Sequence, residues 1–456
     1  MTESGAQPHA PVGPGTAGAA GPQEHGRGGE QAPHPDQRGP RADDRQERPI
    51  TAGVEGALAG IVVADFSRVL AAPYATMLFG DLGADVIKVE RPGVGDDTRA
   101  WGPPFAGDEA TYFLSVNRNK RSFTADLSDE ADRDELAELI RRADVLIENF
   151  RPGTMARHGL SYEQVRELNP RLVYCSITGF GAGKGATLPG YDLLVQAVGG
   201  LMSVTGPRPG EPVKAGVALV DVLTGLHAAV GVLAALRARE TTGRGQLVEV
   251  NLLGTLLSSM VNQSAGYTAA GAVPGILGNR HPSIAPYQLF AAADRPVVVA
   301  VGNDRQFAAF CSGLGVPELA ADPRFATNPD RVAHIDALDE IVSPLMATRP
   351  ADHWFTVLSG LGVPCGPVND IANAFALAAD LGLSARVAVG EGRDAVDLVA
   401  NPVELSDTPP AYRRRPPRLG EHTDELRAWL HDRPSTPGPI TPSPASPSVP
   451  SDGSLS

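Results

Sequence analysis

Pro189-Gly190-Tyr191-Asp192 closes a glycine-rich stretch that opens with Thr178-Gly179-Phe180-Gly181. It sets one carboxylate just after an amide-rich loop, where it can act as a nucleophile beside backbone N–H groups that stabilise an oxyanion. Asp after Gly is also ordinary turn chemistry, so the surroundings decide its weight. Cationic residues recur in the neighbouring loops: Arg91, Arg99, Arg118, Lys120, Arg121, Arg151 and Arg157. Singly these read as surface arginines and lysines. Gathered on one sheet edge they would hold a polyphosphate ligand.

The elements that must position these residues are legible as an alternation. Apolar runs at 61–66, 85–90, 144–148 and 172–177 read as strands, and 75–82, 129–142 (N-capped by Ser128) and 162–168 read as helices. Strands alternating with helices imply an α/β fold with a parallel sheet and crossover helices. Ligands bind at the carboxyl ends of such strands. Four loops leave those ends, at 67–73, 91–101, 149–157 and 178–192. After about residue 250 the rhythm shifts to helices, a strand at 296–301 and Pro/Gly turns, which predicts a second, smaller domain.

The whole chain narrows the function. With 456 residues it is too long for one core. Residues 1–54 and 433–456 are poor in large apolar side chains and read as disordered tails. The net charge of −14 argues against nucleic-acid binding. Three scattered cysteines, Cys175, Cys311 and Cys365, suit reduced cytoplasmic thiols and fit no metal pattern. The segment 216–236 is apolar enough to span a bilayer, but it carries Asp221 and His227 and reads as a buried core helix, so no membrane partner is expected. The first strand-to-helix turn, 65–73, lacks the glycines a dinucleotide fold needs, which disfavours NAD and FAD. Gly183-Lys184 fails as a P-loop, because Thr178 and Gly185 stand where Gly and Ser or Thr are required. No His follows a Ser or Cys nucleophile signature, so a hydrolase triad has no support.

Residues 57–427 resemble the class III CoA-transferases, the CaiB/BaiF group that includes formyl-CoA transferase. The resemblance is carried by GIVVADFSRVLAAPYATMLFGDLGADVIKVERPGVGDDTRAW at 60–101, NRNKRSFTADL at 117–127, ADVLIENFRPG at 143–153, LNPRLVYCSITGFG at 168–181, PGYDLLVQAVGG at 189–200, TGRGQLVEV at 242–250, GNRHPSIAPYQLF at 278–290, GVPCGPVNDI at 362–371 and PRLGEHTDEL at 417–426. It implies a large Rossmann-like domain built from 55–225 and 346–432, with a linker and smaller α+β domain at 226–345, in an interlocked homodimer. It implies Asp192 as the nucleophile that forms an aspartyl-CoA thioester, with acyl-CoA and a carboxylic acid as substrates. It further implies CoA contacts at Val69, Leu70, Ala71, Arg91, Ala125, Asp126, Leu127, Ser128, Asn149, Phe150, Arg151 and Arg157, and no tightly bound cofactor or metal. Trp101, Tyr112, Phe180 and the 278–290 loop are expected to shape the acid pocket.

Two alternatives share that fold. The α-methylacyl-CoA racemases pair an Asp with a His; their Asp follows a Gly-His pair where this chain has Gly190-Tyr191, and their catalytic His belongs near the helix at 162–168, where this chain has Tyr162 and Glu163. Without a second acid/base, proton exchange at an α-carbon has no partner, so acyl exchange is favoured. A non-catalytic CoA-binding protein is disfavoured by the intact Asp192. Formyl-CoA transferases also carry a glycine run in the small domain, whereas this chain reads SIAPYQLF at 283–290, against formyl-CoA/oxalate exchange.

Overall fold

A computed structural model describes residues 56–432. The two expected tails, 1–54 and 433–456, lie outside the described residues. Six strands form the main sheet: β1 (Val62–Asp65), β2 (Asp85–Glu90), β3 (Lys120–Thr124), β4 (Val145–Glu148), β5 (Val173–Thr178) and β6 (Leu247–Asn251). All neighbours pair in parallel, in the order β3-β2-β1-β4-β5-β6. That is the doubly wound order, whose ligand crevice opens where the winding reverses, between β1 and β4.

Period-two alternation explains both faces. Val63, Val86, Val145, Ile147, Val173 and Cys175 pack on one side with α1 (Ala71–Asp81) and the long helix Leu219–Thr242. Ala64, Ile87, Leu146 and Tyr174 point the other way, onto Leu136, Leu139 and Ile140 of α2 (Glu130–Arg142), Val165 of α3 (Tyr162–Leu168) and Leu426 and Leu430 of the C-terminal helix Thr423–His431. The chain therefore returns to the large sheet at its C-terminal end. The N-cap of α2 is Asp129, which accepts from Asp132 N, and not Ser128. Asp sits closer to the dipole of that first turn and fills the cap position directly.

A second core lies around Phe290, Phe307, Phe310, Leu338, Val342, Trp354 and Leu358. It backs an antiparallel sheet of β7 (Tyr287–Ala291), β8 (Pro296–Ala300) and β9 (Cys365–Pro367), with β8 central. The expected divisions need correction here. A boundary at 225/226 falls inside the helix Leu219–Thr242, and β6, expected in the linker, completes the large sheet beside β5. At the other end β9 lies beyond 345 yet hydrogen-bonds to β8. Strand pairing decides the domain to which each segment belongs, and composition does not report it.

The long helix is 24 residues with mean hydropathy 1.9, and 44% of its apolar window is buried. Val220, Ala228, Val232 and Ala235 enter the core. Gly225 meets α1 directly: a Cβ there would lie 2.4 Å from the Ala71 carbonyl oxygen. This close approach brings the start of the helix against the loop after β1.

Candidate active site

The crevice between β1 and β4 is a cleft lined by Arg68, Val69, Leu70 and Ala71 after β1 and by Asn149, Phe150, Arg151 and Pro152 after β4, closed by Thr178–Gly179, Leu188–Tyr191 and Asp221. The first two loops are stitched together at the winding reversal. Asn149 Oδ1 accepts from Arg68 N at 2.9 Å, and Asn149 Nδ2 donates to the Arg68 carbonyl at 2.7 Å. A neighbouring cavity of about 150 Å³ is lined by Ser67, Arg68, Glu90, Arg91, Asp96, Ala125, Asp126, Leu127 and Phe150. Of the twelve expected CoA contacts, the structure gathers ten along these two cavities. Ser128 lines neither, and its backbone N–H donates to Asp126. Arg157 lines neither, and it donates to Thr154 in its own short helix.

Four of the seven cations expected to form a basic edge are already neutralised. Arg99 pairs with Glu90, Arg118 with Asp81, Lys120 with Asp65, and Arg121 with Asp85 and Glu425. Arg118 and Arg121 sit at the start of β3, the opposite end from the cleft, whereas Lys120 starts there and sends its Nζ to Asp65 and the Pro73 carbonyl, which the loop count in sequence could not reveal. Arg91 and Arg151 do border the cavities, and Arg68, absent from the sequence expectation, borders both. The Arg68 guanidinium lies 5.2 Å from the Phe150 ring centroid and 3.2 Å from Asp97.

The glycine-rich loop closes at its neck. A Cβ on Gly179 would lie 2.4 Å from the Gly190 Cα, so the two glycines cross with no room for side chains. Beyond that crossing, α4 (Asp192–Val198) begins. Asp192 directly follows Tyr191 of the cleft wall and is half-buried, as is Asp221. Its Oδ1 accepts from Val220 N at 2.7 Å and Asp221 N at 3.1 Å, and its Oδ2 accepts from Gln196 Nε2 at 2.6 Å. The carboxylate thus caps the N-terminus of the long helix, where free N–H groups and the helix dipole favour a negative charge by roughly 0.5–2 kcal/mol. Buried Gln196 extends the clasp by accepting from Ala215 N at 2.8 Å.

Asp221 is placed differently. It stands in the first turn of the long helix and its residue borders the cleft. Its side chain accepts no hydrogen bond among the described residues. Burial, reinforced by the Asp192 charge, pushes it up to about 7. The helix dipole acts in the opposite direction and is outweighed. Burial, Asp221 and Asp192 likewise push up the Tyr112 hydroxyl, whose ring meets Trp101 edge-on at 5.4 Å. Sequence reading registered Asp221 only as a misfit in an apolar segment. That misfit was the usable signal, since a carboxylate kept in an apolar helix needs a reason.

A second feature escaped the sequence. Lys88 of β2 is fully buried, and its Nζ lies 2.9 Å from both Asp96 Oδ2 and the Ser67 carbonyl. Burial works against the Asp96 charge, but Lys88 and the Thr98 donors hold its carboxyl down to about 2. Beside it, Lys120 is lowered to about 8 by burial, with Asp65 partly restoring it. Val69 above this layer has φ +69, a left-handed conformation that costs a β-branched residue about 1–3 kcal/mol.

Comparison with known proteins identifies the family and the fold. Residues 58–423 match CoA-transferase family III. The chain is 42% identical over 390 residues to succinate–glutarate CoA-transferase of Agrobacterium fabrum, covering 83% of this chain and 98% of that protein. It is 42% identical over 376 residues to acetyl-CoA:oxalate CoA-transferase of Acetobacter aceti, covering 82% and 95%. The crystal structure of a CaiB/BaiF family protein from Brucella suis superposes with a TM-score of 0.75 at 41% identity, over 82% of this chain and 100% of that chain.

Proposed function

This chain belongs to CoA-transferase family III, and we propose that it transfers CoA between small dicarboxylic acids through an aspartyl intermediate whose attacking carboxylate is Asp221. The dicarboxylate class is supported by the relatives, whose names specify succinate and glutarate in one and acetyl-CoA and oxalate in the other. Arg68 and Arg151 supply the positive charge at the cleft that an anionic acid and CoA both require. The activity itself, CoA transfer, accords with both curated relatives.

The observation that carries the assignment is the contrast between two aspartates one hydrogen bond apart. Asp192, expected from the sequence to attack, has both oxygens engaged by three donors. Asp221 borders the cleft, and its raised value makes the ionised carboxylate more basic and a better nucleophile. Asp192 becomes a positioning residue: it holds the Asp221 backbone N–H and raises the Asp221 carboxyl by its charge.

In the reaction, an Asp221 oxygen attacks the donor thioester carbonyl, and the C–S bond breaks to give a mixed anhydride and CoA thiolate. The thiolate attacks the aspartyl carbonyl and expels the donor carboxylate, leaving aspartyl-CoA thioester. The acceptor carboxylate attacks that thioester, and the released thiolate attacks the acceptor's acyl carbon. New acyl-CoA leaves and the Asp221 carboxylate is restored. No proton is gained or lost overall, so the cleft has to align groups, stabilise oxyanions and exclude water.

No histidine lines the cleft among the described residues, so the Asp–His pair of the racemase alternative has no counterpart there. The homodimer is part of the same proposal. Leu226 and Val230 of the long helix, and Ile371, Leu381 and Leu383 further on, are exposed apolar side chains that a partner would cover. A monomer by light scattering would remove that part. For the chemistry, Asp221→Ala and Asp192→Ala are compared with succinyl-CoA as donor and glutarate or oxalate as acceptor. Loss of turnover in the first with residual turnover in the second supports Asp221. The reverse pattern returns the role to Asp192.

A further inference from the structure

We propose that Asp96 is a positioning residue for CoA transfer: it holds Val69 in its left-handed conformation and so fixes the Val69–Ala71 wall that shares the cleft with Asp221. Three successive residues of the loop after β1 are each held by a different buried or cross-strand side chain. The Ser67 carbonyl accepts from Lys88 Nζ at 2.9 Å. The Arg68 N–H and C=O are both taken by Asn149. The Val69 N–H lies 3.3 Å from each Asp96 oxygen. Asp96 is itself immobilised by Lys88 Nζ at 2.9 Å, Thr98 N at 3.0 Å and Thr98 Oγ1 at 2.8 Å, while its own N–H donates to Glu90 Oε2 at 3.0 Å. Glu90 is clamped in turn by Arg99 and Ser122.

A valine leaves φ +69 unless its surroundings over-determine it, and such strain is kept where a precise backbone position matters. Here the strained residue opens directly into Leu70 and Ala71, which line the cleft. The side chains of Lys88 and Asp96 are fully buried, and although both border the neighbouring cavity their polar atoms are spent on the loop, so rescue by glycine at Val69 distinguishes an effect through the loop from a direct contact. The proposal rests on the cleft being the acyl-CoA site and not on which aspartate attacks.

The test is steady-state kinetics on the full-length protein with succinyl-CoA as donor and glutarate as acceptor. Asp96→Asn keeps the shape and removes the charge. It is expected to raise KM for the acyl-CoA about tenfold and leave KM for the acid within about twofold. Val69→Gly in the Asp96→Asn background removes the penalty for the left-handed turn and is expected to recover at least half of that loss. A merely structural role would lower the active fraction and the melting temperature without this split or this rescue. Thr98→Val removes one hydroxyl donor to Asp96 without stranding a buried charge. It is expected to fold and to raise the acyl-CoA KM about threefold. Unchanged acyl-CoA KM in Thr98→Val overturns the proposal, as does a folded Asp96→Asn enzyme that affects both substrates equally or is not rescued by glycine. Normal turnover in Asp221→Ala would instead defeat the nucleophile assignment and leave this result standing.

Discussion

Asp96 and Asp221 are two carboxylates beside neighbouring cavities, the first buried and the second half-buried, built in opposite ways. Asp96 accepts from a buried lysine, a threonine and two backbone amides, and its carboxyl is held down to about 2. Asp221 receives no donor among the described residues, faces another carboxylate and is pushed up to about 7. Burial acts on both in the same direction, so the partners decide the outcome. A satisfied carboxylate supports the backbone, and an unsatisfied one bordering a cleft is available for bond formation. Asp192 sits between these extremes, with its oxygens engaged by the helix N-terminus and its charge acting on Asp221.

The largest expected effect breaks the comparison at its reactive end. Asp221→Ala should lower kcat on the order of 10⁴-fold while the circular dichroism spectrum stays near wild type. Next comes the contact that sets the cleft wall against Asp221. Gly225→Ala places a Cβ against the Ala71 carbonyl, so the two helices must part. That should cost about 1–3 kcal/mol in denaturant unfolding, and on the order of 10²-fold in kcat/KM through misalignment.

Asp192→Asn sharpens the middle case. It should lower kcat/KM roughly tenfold, because one cap donor set loses its charge-assisted partner. In the wild type, kcat/KM should rise with pH through about 7 as Asp221 ionises. Removing the neighbouring charge should move that inflection to lower pH, and an unmoved inflection would separate the two aspartates.

The smallest effect is on stability, and its sign differs between the two carboxylates. The folded value of Asp96 lies below the ordinary 3.8, so its contribution is present above about pH 4 and lost as pH falls toward 2. The folded value of Asp221 lies above 3.8, so its contribution is full below that pH and is lost as pH rises through about 7. Relative to wild type, Asp221→Asn should therefore gain stability from pH 4 to 7, and Asp96→Asn should approach wild type below pH 4. Urea midpoints across pH 3–8 read both.

Much of this was legible in the sequence, for identifiable reasons. The apolar runs of β1, β2, β4 and β5 are short and bounded by turns, and their alternation with helices specifies a parallel sheet. The loops at their carboxyl ends then follow; within them the family resemblance singled out Val69–Ala71, Arg91 and Asn149–Arg151, which line the cavities. What sequence did not yield was pairing across long separations. Lys120 and Asp65 are 55 positions apart, and Arg99 meets Glu90 only because the loop after β2 folds back. Asp192 and Asp221 are 29 positions apart, and nothing in either segment alone states that one caps the helix carrying the other. The glycine-rich loop drew attention to Asp192, whereas its glycines serve a backbone crossing at 179 and 190.

The central claim is tested most directly by trapping the intermediate. The full-length protein is incubated with succinyl-CoA without acceptor, quenched with hydroxylamine and digested with trypsin. Cleavage after Lys184, Lys214 and Arg237 separates the two candidates, with Asp192 in the peptide 185–214 and Asp221 in the peptide 215–237. Mass spectrometry should find the hydroxamate on Asp221 and an unmodified Asp192. A hydroxamate on Asp192 with Asp221 unmodified would contradict the account.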